Sequence, residues 1–363
     1  MTLSRLNIAN FRNLLSVELL PTPAFNIFYG KNGSGKTSLL EAIYCLSTGR
    51  SFRSTSPAQL INHNQDKFSL FAQLMQDQRP IPIGMERQSN GILRCRLNER
   101  DIPSVVELAA MLPLRLINAH SHLILESGPT FRRKLLDWGL FYHSQEFYSH
   151  WRQFDRTLKQ RNILLKAQRP KQEIIPWTYE LIRHGLKLDQ LRRQYVADLT
   201  HKIEMVLAQL FPLSPPSFTY HPGWDGDKTY EEILLSHLTQ ELQCGFTCFG
   251  PHRADLSITI NGLPVKHFLS RGQQKLLICA IIMAQGILLT EQTHQTMIYL
   301  IDDLAAELDS SSRTRLISLL IKQQAQVFVT TIEGDMINHS IQPEANKLNK
   351  LFHVEQGIVI EQT

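Results

Sequence analysis

A chain of 363 residues with 43% hydrophobic residues is long enough for about two domains with full hydrophobic cores. The net charge of +5 permits contact with nucleic acid, and no uninterrupted apolar run reaches the roughly 18 residues of a membrane span. Five scattered cysteines, and an N-terminus without an apolar signal core, favour reduced thiols and a cytoplasmic location.

The first third of the chain is predicted to consist mostly of strands. Apolar residues recur with a period of two, which is typical of half-buried strands. The segments that show this are those around Leu6 and Ile8, those around Val17 and Leu19, and the segments Phe68–Met75 and Ile92–Leu97. The polar segment Asn98–Asp101 is predicted to be a hairpin turn.

A glycine-rich segment lies between a predicted buried strand, Ala24–Tyr29, and a predicted helix, Thr37–Leu46. It fits the pattern G-x-x-x-x-G-K-[ST], in which glycines let backbone N–H groups wrap a phosphate, the lysine reaches the β- and γ-phosphates and the hydroxyl holds Mg²⁺. A helix that begins at this loop also directs its positive dipole end towards the anion. The segment therefore predicts an ATP site with Mg²⁺ on Thr37. The predicted nucleotide contacts are Gly30, Lys31, Asn32, Gly33, Ser34, Gly35, Lys36, Thr37 and Ser38.

The pattern changes to helical periodicity from Thr130 to Gln209, with few turn-forming residues. The change follows Ser127-Gly128-Pro129, and Pro170 and Pro176 are predicted to separate successive helices. The sequence therefore predicts a helical segment inserted between two strand-containing parts.

A basic cluster lies within this helical segment, because residues 151–171 contain seven Lys or Arg and a single acid, Asp155. Positive charge at this density attracts phosphates and releases counterions. A solvated helix face explains the same pattern, so both interpretations stay open. Aromatic residues interleave only sparsely in this window, and base stacking is not evident there. The predicted DNA contacts are Arg156, Lys159 and Arg161.

Cys244, Cys248 and His252 follow one another at intervals of four residues, as some metal ligands do. Gly245 and Pro251 would break any helix that aligned them, and no fourth ligand is nearby in the sequence. We therefore predict a short strand with buried thiols at this position.

Strands are predicted again after Cys248, with Asp255–Ile260 alternating and Asn261-Gly262 forming a hairpin turn. The next motif is Leu269–Gln274, which precedes an apolar helix that extends to about Gln285. Helix capping alone would also select Ser270 at this place, so the motif by itself does not decide the function.

The segment Met297–Asp303 is an apolar strand that ends in two acids, as in a Walker B element. Asp302 is predicted to hold Mg²⁺, and Asp303 to orient or deprotonate the attacking water. Glu307-Leu308-Asp309 follows closely, and the later segment Gln326–Val329 is a predicted strand that ends in Thr330-Thr331.

These motifs, in this order, resemble the ABC-type ATPases. The resemblance implies that the signature motif, Ser270, Arg271, Gly272 and Gln273, meets the phosphate loop of a second copy, with ATP-dependent dimerisation as the consequence. It assigns catalytic roles to Asp303, Lys36 and Ser270. The long gap between Lys36 and Ser270 resembles SMC-like repair heads more than transporter cassettes, and the insert is too short and too broken for a long coiled coil.

Finer motifs resemble the RecF family over almost the whole chain. They are residues 10–13, 33–43, 49–53, 132–138, 250–255 and 269–273. The resemblance implies an α/β, ABC-type (SMC-like) P-loop ATPase head with an inserted helical arm, and adds Arg12 and Asn13 to the nucleotide contacts. The implied boundaries are 1–120 for the first part of the head, 121–245 for the arm and 246–363 for the second part of the head.

The resemblance further implies an ATP-dependent homodimer on gapped or single-stranded–duplex DNA. Such a protein acts with RecR and RecO to help load RecA, supports recombinational repair, replication and SOS induction, and binds DNA without sequence preference. It would be mainly an ATP-switched DNA-binding protein with weak, DNA-dependent ATPase activity. The alternatives are another SMC-like ATPase acting as a structural DNA clamp, a phage-exclusion nuclease partner, or a transport-type ATPase subunit.

Three positions depart from the usual pattern. Ala119-His120 stands where the RecF family usually has Pro-Glu, which leaves a third Mg²⁺ contact unassigned. Thr330-Thr331 stands where transporters place a histidine. Asp303 stands where ABC-type heads usually have glutamate, so the base lies about one methylene further from the phosphate. All three favour slow hydrolysis and a switch-like role.

Overall fold

Apolar alternation forms strands in the predicted places. The structure is a computed structural model, and it describes residues 1–210, 215–304, 308–334 and 349–362. Glu307, in the predicted Glu307-Leu308-Asp309 loop, lies outside the described residues. In chain order the described strands are β1 (Thr2–Phe11), β2 (Leu14–Leu19), β3 (Phe25–Tyr29), β4 (Lys67–Gln76), β5 (Arg79–Gln88), β6 (Leu93–Leu97), β7 (Arg100–Ile102), β8 (Leu114–Ile117), β9 (Ser217–His221), β10 (Asp255–Ile260), β11 (Leu263–Pro264), β12 (Ile298–Ile301), β13 (Gln326–Thr331), β14 (Lys350–Glu355) and β15 (Ile358–Gln362).

The helices follow the segments of 3.6-residue periodicity. In chain order the described α-helices are α1 (Lys36–Thr48), α2 (Val105–Met111), α3 (Leu123–Glu126), α4 (Pro129–His143), α5 (Phe147–Lys166), α6 (Lys171–Leu210), α7 (Tyr230–Ser236), α8 (Leu238–Cys244), α9 (Val265–Phe268), α10 (Arg271–Thr293) and α11 (Ser310–Lys322). The chain divides into two units, one made of Met1–Ser121, Gln209–Phe211 and Lys275–Thr363, the other of His122–Ala208 and Pro212–Gln274.

The first unit contains two six-stranded sheets. One is antiparallel, with the strand order β2-β1-β4-β5-β6-β7. The other has the order β15-β14-β3-β13-β12-β8, and all its neighbours run parallel except β15, which pairs antiparallel with β14. The predicted hairpin turn is confirmed at Asn98 and Glu99, which lie between β6 and β7 and both have positive φ, whereas Arg100 and Asp101 belong to β7.

Helix α1 lies against strands of both sheets and joins them into one core. Its buried residues Leu39, Leu40 and Ile43 belong to the same apolar cluster as Leu6 of the antiparallel sheet and Phe328 of the parallel sheet. Burying this apolar area stabilises the two sheets against each other.

The second unit is mainly helical, with a three-stranded antiparallel sheet in the order β11-β10-β9. Pro170 separates α5 from α6, as predicted, but Pro176 lies inside α6 and does not end a helix. Pro176 is only the sixth residue of the helix, so at most two of its backbone hydrogen bonds are affected there and the helix continues.

Residues 246–274 pack with the second unit. Strand β10 pairs with β9, and α4 packs on β10, so this segment is held by arm residues although the sequence-based boundary assigns it to the head. The prediction of a short strand with buried thiols at 244–252 is wrong. Cys244 is an exposed residue at the end of α8, and Cys248 is half-buried in a loop where the Glu241 carboxylate accepts its backbone N–H at 2.7 Å.

Helix α10 has the length and composition of a membrane span, with a mean hydropathy of 1.6 in its most apolar window. That window is 72% buried inside the protein. Its apolar character is accounted for by packing, as in the core helix of a globular protein.

Candidate functional site

A cavity of about 800 Å³ lies at the carboxyl ends of the parallel strands in the first unit. Neighbouring parallel strands bring the segments that follow them to one edge of the sheet, which is where ligands of such sheets bind. Its volume is within the range of small-molecule sites, roughly 300–1,000 Å³. The cavity is lined by Arg12, Asn13, Asn32, Gly33, Gly35, Lys36, Thr37, Ser38, Arg53, Gln59, Ile61, Asn62, His63, Ala119, Asp302, Asp303, Thr330 and Ile332.

The glycine-rich loop between β3 and α1 depends on two backbone positions. Gly30 has φ 147°, and a Cβ there would lie 2.2 Å from the Val354 carbonyl oxygen. Gly35 has φ 120° and occupies the N-cap position of α1, where it offers no side chain to accept a hydrogen bond from the helix. Only glycine tolerates both positions, and the first N–H groups of α1 have no N-cap side chain to accept them. The loop is therefore built to receive an anion at a helix N-terminus.

Lys36 is held inside this loop. Its ammonium donates hydrogen bonds to the carbonyl oxygens of Gly30, at 2.6 Å, and of Lys31, at 2.8 Å. Burial lowers the pKa of Lys36 from its ordinary value, while the carboxylates of Asp303 and Asp302 oppose that shift. The exposed Lys31 and Asn32 complete the loop, and the Ser34 carbonyl accepts from the Gly357 N–H at 2.8 Å.

Two threonine hydroxyl groups, one at the end of the P-loop and one in β13, hold Asp302 and the backbone of Asp303. Thr37 Oγ1 donates to Asp302 Oδ1 at 3.1 Å, and Thr330 Oγ1 donates to the same oxygen at 2.7 Å. Thr330 Oγ1 also accepts the backbone N–H of Asp303 at 2.8 Å. Asp303 has φ 55°, in the left-handed region, which Asp and Asn enter more readily than other non-glycine residues. Thr330 therefore fixes both acids.

The donor set at Thr37 and Asp302 suits Mg²⁺. Mg²⁺ keeps water and phosphate oxygens as most of its ligands and takes only one or two from the protein. A hydroxyl and a carboxylate that already share a hydrogen bond supply such a pair. Among the described residues, no group of three or more His, Cys, Asp or Glu side chains gathers as a zinc site would require. Ala119 lines the cavity without a ligating side chain, so the third protein contact stays unassigned.

Arg12 and Asn13 are tied to α1 and the loop. Arg12 donates two hydrogen bonds to the fully buried Glu41 carboxylate, at 2.9 and 2.8 Å. Asn13 accepts from Ser38 Oγ at 2.8 Å and donates to the Ser34 carbonyl at 3.3 Å. The two side chains line the cavity in positions fixed by the P-loop helix.

Sequence reasoning did not single out Glu41 or residues 59–63 as parts of the site. Glu41 organises Arg12, Ser51 and Arg53 around one buried carboxylate. A charged residue on the buried face of an otherwise apolar helix is a signal that could have revealed it. Residues 59–63 have no such signal in the sequence. They reach the cavity because two backbone hydrogen bonds, from the Arg12 N–H to the Leu60 carbonyl and from the Asn62 N–H to the Asn10 carbonyl, hold this segment there.

The signature motif forms a capping box at the start of α10 in the second unit. Gln273 donates its backbone N–H to Ser270 Oγ at 3.3 Å, and the Ser270 N–H donates to Gln273 Oε1 at 3.0 Å. Ser270, Arg271 and Gly272 are exposed. The capping role is therefore real, and it leaves the first turn of α10 accessible to a ligand or partner.

The basic cluster is only partly on the surface. Arg156 and Lys159 are exposed, and Lys159 Nζ donates a hydrogen bond to Asp155 Oδ2 at 2.6 Å. Arg161 is fully buried between Thr178, Thr247 and the buried Glu241, whose carboxylate lies 2.6 Å from its guanidinium. The assignment of Arg161 to DNA is wrong, because its position on α5 faces α6 and α8 inside the unit.

Comparison with known proteins places the whole chain in one group. The family model described as RecF/RecN/SMC N terminal domain matches residues 2–360. The "DNA replication and repair protein RecF" of Shewanella halifaxensis is 42% identical over 99% of this chain and 98% of its own length. The protein of the same name from Photorhabdus laumondii is 41% identical over 98% of each chain.

Solved structures agree in fold. The "recombination mediator protein RecF-ATP in RecFOR pathway" superposes with a TM-score of 0.87, at 24% identity over 99% of this chain and 97% of that one. An SMC head bound to the C-winged helix domain of ScpA superposes with a TM-score of 0.61, at 14% identity over 100% of this chain and 98% of that one. With its P-loop, its paired acids and relatives of this identity over full length, the chain belongs to the RecF family of DNA replication and repair proteins, within the ABC-type, SMC-like ATPase heads.

Proposed function

We propose that this protein is an ATP-switched, DNA-binding dimer of recombinational repair and replication. The observation that carries the proposal is the cavity in which Lys36, Thr37, Asp302 and Asp303 converge at the ends of parallel strands. The RecF-ATP structure of the same fold carries ATP in its name, and relatives above 40% identity are named for DNA replication and repair. An SMC-like clamp has weaker support, since the SMC head of similar fold is only 14% identical to this chain. The long interval between Lys36 and Ser270 disfavours a transport subunit.

ATP is the nucleotide, held by the loop residues 30–38 together with Arg12 and Asn13. Lys36, now bonded to two loop carbonyls, would turn to the β- and γ-phosphates. Thr37 and Asp302 would hold Mg²⁺, which neutralises phosphate charge when bound. Asp303 orients the attacking water from a side chain that is one methylene shorter than glutamate, so hydrolysis is slow, which suits a switch. DNA stimulates this hydrolysis.

The signature motif acts across a dimer interface. Ser270, Arg271, Gly272 and Gln273 open α10, and the exposed first turn of this long helix offers N–H groups and the Ser270 hydroxyl to the γ-phosphate on a second copy. Each nucleotide then has contacts from two chains, which makes association depend on ATP.

The DNA is gapped, with single-stranded and duplex parts, and is bound mainly through phosphates, without sequence preference. RecR is the direct partner, with RecO and RecA in the same pathway, and the dimer supports RecA loading and SOS induction in the cytoplasm. The name RecFOR pathway attached to the similar solved structure supports this assignment of partners.

The test uses Asp303→Asn, which should bind ATP with wild-type affinity and stay dimeric because turnover is suppressed, by roughly 10²–10⁴-fold for loss of a general base. Size-exclusion chromatography with light scattering measures the dimer, and phosphate release measures turnover. Adding Ser270→Arg should abolish the dimer while ATP affinity is kept. Ser89→Arg, at an exposed serine in the turn between β5 and β6, is the matched control and should remain dimeric.

Persistence of the ATP dimer in the Asp303→Asn/Ser270→Arg protein would refute the role of the signature motif across the interface. Wild-type turnover in Asp303→Asn would place the catalytic base elsewhere in the cavity.

A further inference from the structure

Two motifs that the ATP cavity does not use come together in the second unit. They are residues 132–138, on α4, and residues 250–255, before and at the start of β10. Arg132 donates to both carboxylate oxygens of Asp255, at 2.7 and 3.0 Å, and Arg133 donates to the Ala254 carbonyl at 2.8 Å. These bonds hold the 250–255 loop against α4.

Helix α6 completes the arrangement through Arg192, which is almost fully buried. Arg192 donates to Asp137 Oδ1 at 2.7 Å and to the Pro251 carbonyl at 2.7 Å. The loop, α4 and α6 are therefore joined by charge-assisted hydrogen bonds, which makes a rigid framework for a binding site.

A cavity of about 170 Å³ opens beside this framework. It is lined by Arg133, Asp137, Trp151, Phe154, Asp155, Leu158, Leu188, Arg192, Pro251 and His252. Sites for whole small molecules measure roughly 300–1,000 Å³, so this cavity has room for one ring of a larger ligand. Aromatic and aliphatic side chains on its walls favour a flat ring.

Trp151 provides an accessible aromatic face at the cavity. Its side chain is 38% exposed, and its ring stacks on Tyr148 with centroids 6.4 Å apart and planes 16° from parallel. Phe154 and His252, on the cavity wall, have centroids 6.1 Å apart. A ring that enters the cavity meets aromatic partners of the kind on which unpaired bases stack.

His252 supplies an acceptor that no described residue uses. Its Nε2 lies 3.1 Å from the Thr247 carbonyl, which only accepts, so Nε2 carries the proton and Nδ1 presents a lone pair. Nδ1 is buried without a hydrogen-bond partner among the described residues. Burial lowers the pKa of His252 to about 4, so the ring is neutral near pH 7. The edge of an unpaired base carries N–H donors for such an acceptor.

Positive charge on α5 continues from the aromatic pair. Arg152 lies one helical turn from Tyr148, and Arg156 lies one turn further, so the three share a face. Both arginines are exposed, and neither has an ion pair or hydrogen bond within the described part of the chain. The nearby acids are neutralised, Asp137 by Arg192 and Asp155 by Lys159.

We propose that this cavity receives one unpaired nucleobase of single-stranded DNA, which stacks on Trp151 while Arg152 and Arg156 hold the flanking phosphates. The proposal rests on the proposed function in DNA binding and adds that the arm recognises the unpaired strand. A base within a duplex is already stacked and paired, so it cannot enter the cavity. Stacking accepts every base, which keeps binding independent of sequence.

The experiment compares two single strands of equal length in the presence of ATP, oligo(dT) and an otherwise identical strand whose sugars carry no bases. Both have the same phosphates, so the affinity difference isolates base contacts. Wild type should bind oligo(dT) more tightly by roughly 5- to 150-fold, as expected for stacking of one base. Trp151→Leu should remove most of that preference while duplex affinity changes little. Tyr179→Leu, an aromatic 49% exposed on α6, is the matched control and should keep it.

Arg152→Gln/Arg156→Gln should weaken both strands equally, since its effect falls on phosphates. Equal affinity of wild type for the two strands overturns the base site, and so does an unchanged preference in Trp151→Leu. Loss of ATP-dependent dimerisation in Trp151→Leu with unchanged DNA binding also overturns it, because the face would then serve protein contact. Failure of wild type to bind any DNA would instead refute the proposed function.

Discussion

The phosphate loop and the arm both contain cations that sequence patterns mark for binding anions, yet the structure uses them differently. Lys36 is 9% exposed and lines a cavity with its ammonium on loop carbonyls. Arg161 has no exposed surface, and its guanidinium meets Glu241 inside the arm. The role of a cation in a local backbone motif such as the P-loop can be predicted from the sequence. The role of a cation on a helix depends on which face of that helix is buried by packing.

The largest expected effect comes from removing the buried arm cation. Arg161→Met should lower the free energy of unfolding by about 3–5 kcal/mol, because Glu241 would remain buried without its partner. Denaturant unfolding of the full chain measures this. Lys159→Met, on the same helix but with its ammonium exposed beside Asp155, is the control and should change stability by less than about 1 kcal/mol. Equal stability of the two variants would contradict the contrast.

A smaller effect is expected at the phosphate loop. Lys36→Met should weaken ATP binding by roughly 10- to 150-fold, as expected for a lost hydrogen bond to a charged group, with little loss of stability. Isothermal titration with ATP and Mg²⁺ measures it. Lys36→Arg should retain more affinity but impair hydrolysis, because a planar guanidinium does not replace a compact ammonium.

The matched control for this position is Lys31→Met, which removes the exposed ammonium of a loop residue whose proposed nucleotide contact is made by its backbone N–H and whose carbonyl accepts from Lys36. It should bind ATP nearly as wild type does. Unchanged affinity in Lys36→Met would show that the loop does not hold phosphate through this side chain.

The smallest expected effect concerns the exposed arm cations. Replacing Arg156 and Lys159 with Gln should flatten the log–log salt dependence of DNA affinity by up to roughly two units, at about 0.9 for each lost phosphate contact. Filter binding over a salt series measures the slope. ATP binding should be unaffected, and Arg183→Gln, exposed beside Glu180 on α6, should leave the slope as in wild type. An unchanged slope in the double variant would move the DNA contacts away from α5.

Much of the nucleotide site could be predicted because its chemistry is written in local spacing. Gly30 and Gly35 need backbone angles that other residues resist, and Lys36 and Thr37 follow at fixed distances in the chain. Asp302 and Asp303 could be paired with them because an apolar strand that ends in acids is the Walker B partner of a P-loop. The sequence by itself thus determined the P-loop, the acids and the ABC-type head.

Only the tertiary structure decided which side chains of the arm face solvent. Arg161 and Arg156 lie five residues apart on one helix, and the packing of α5 against its neighbours buries one and exposes the other. Pro176 lies in the second turn of α6, although proline was expected to end a helix there. Trp151 is the first residue of the basic window, and its ring stacks on Tyr148 just before that window. Trp151 lines one cavity with His252 because α4 and α6 hold the 250–255 loop there. The hydrogen bonds of Arg192 to Pro251 and of Arg133 to Ala254 join residues 59 and 121 positions apart, and no local sequence pattern encodes such pairings.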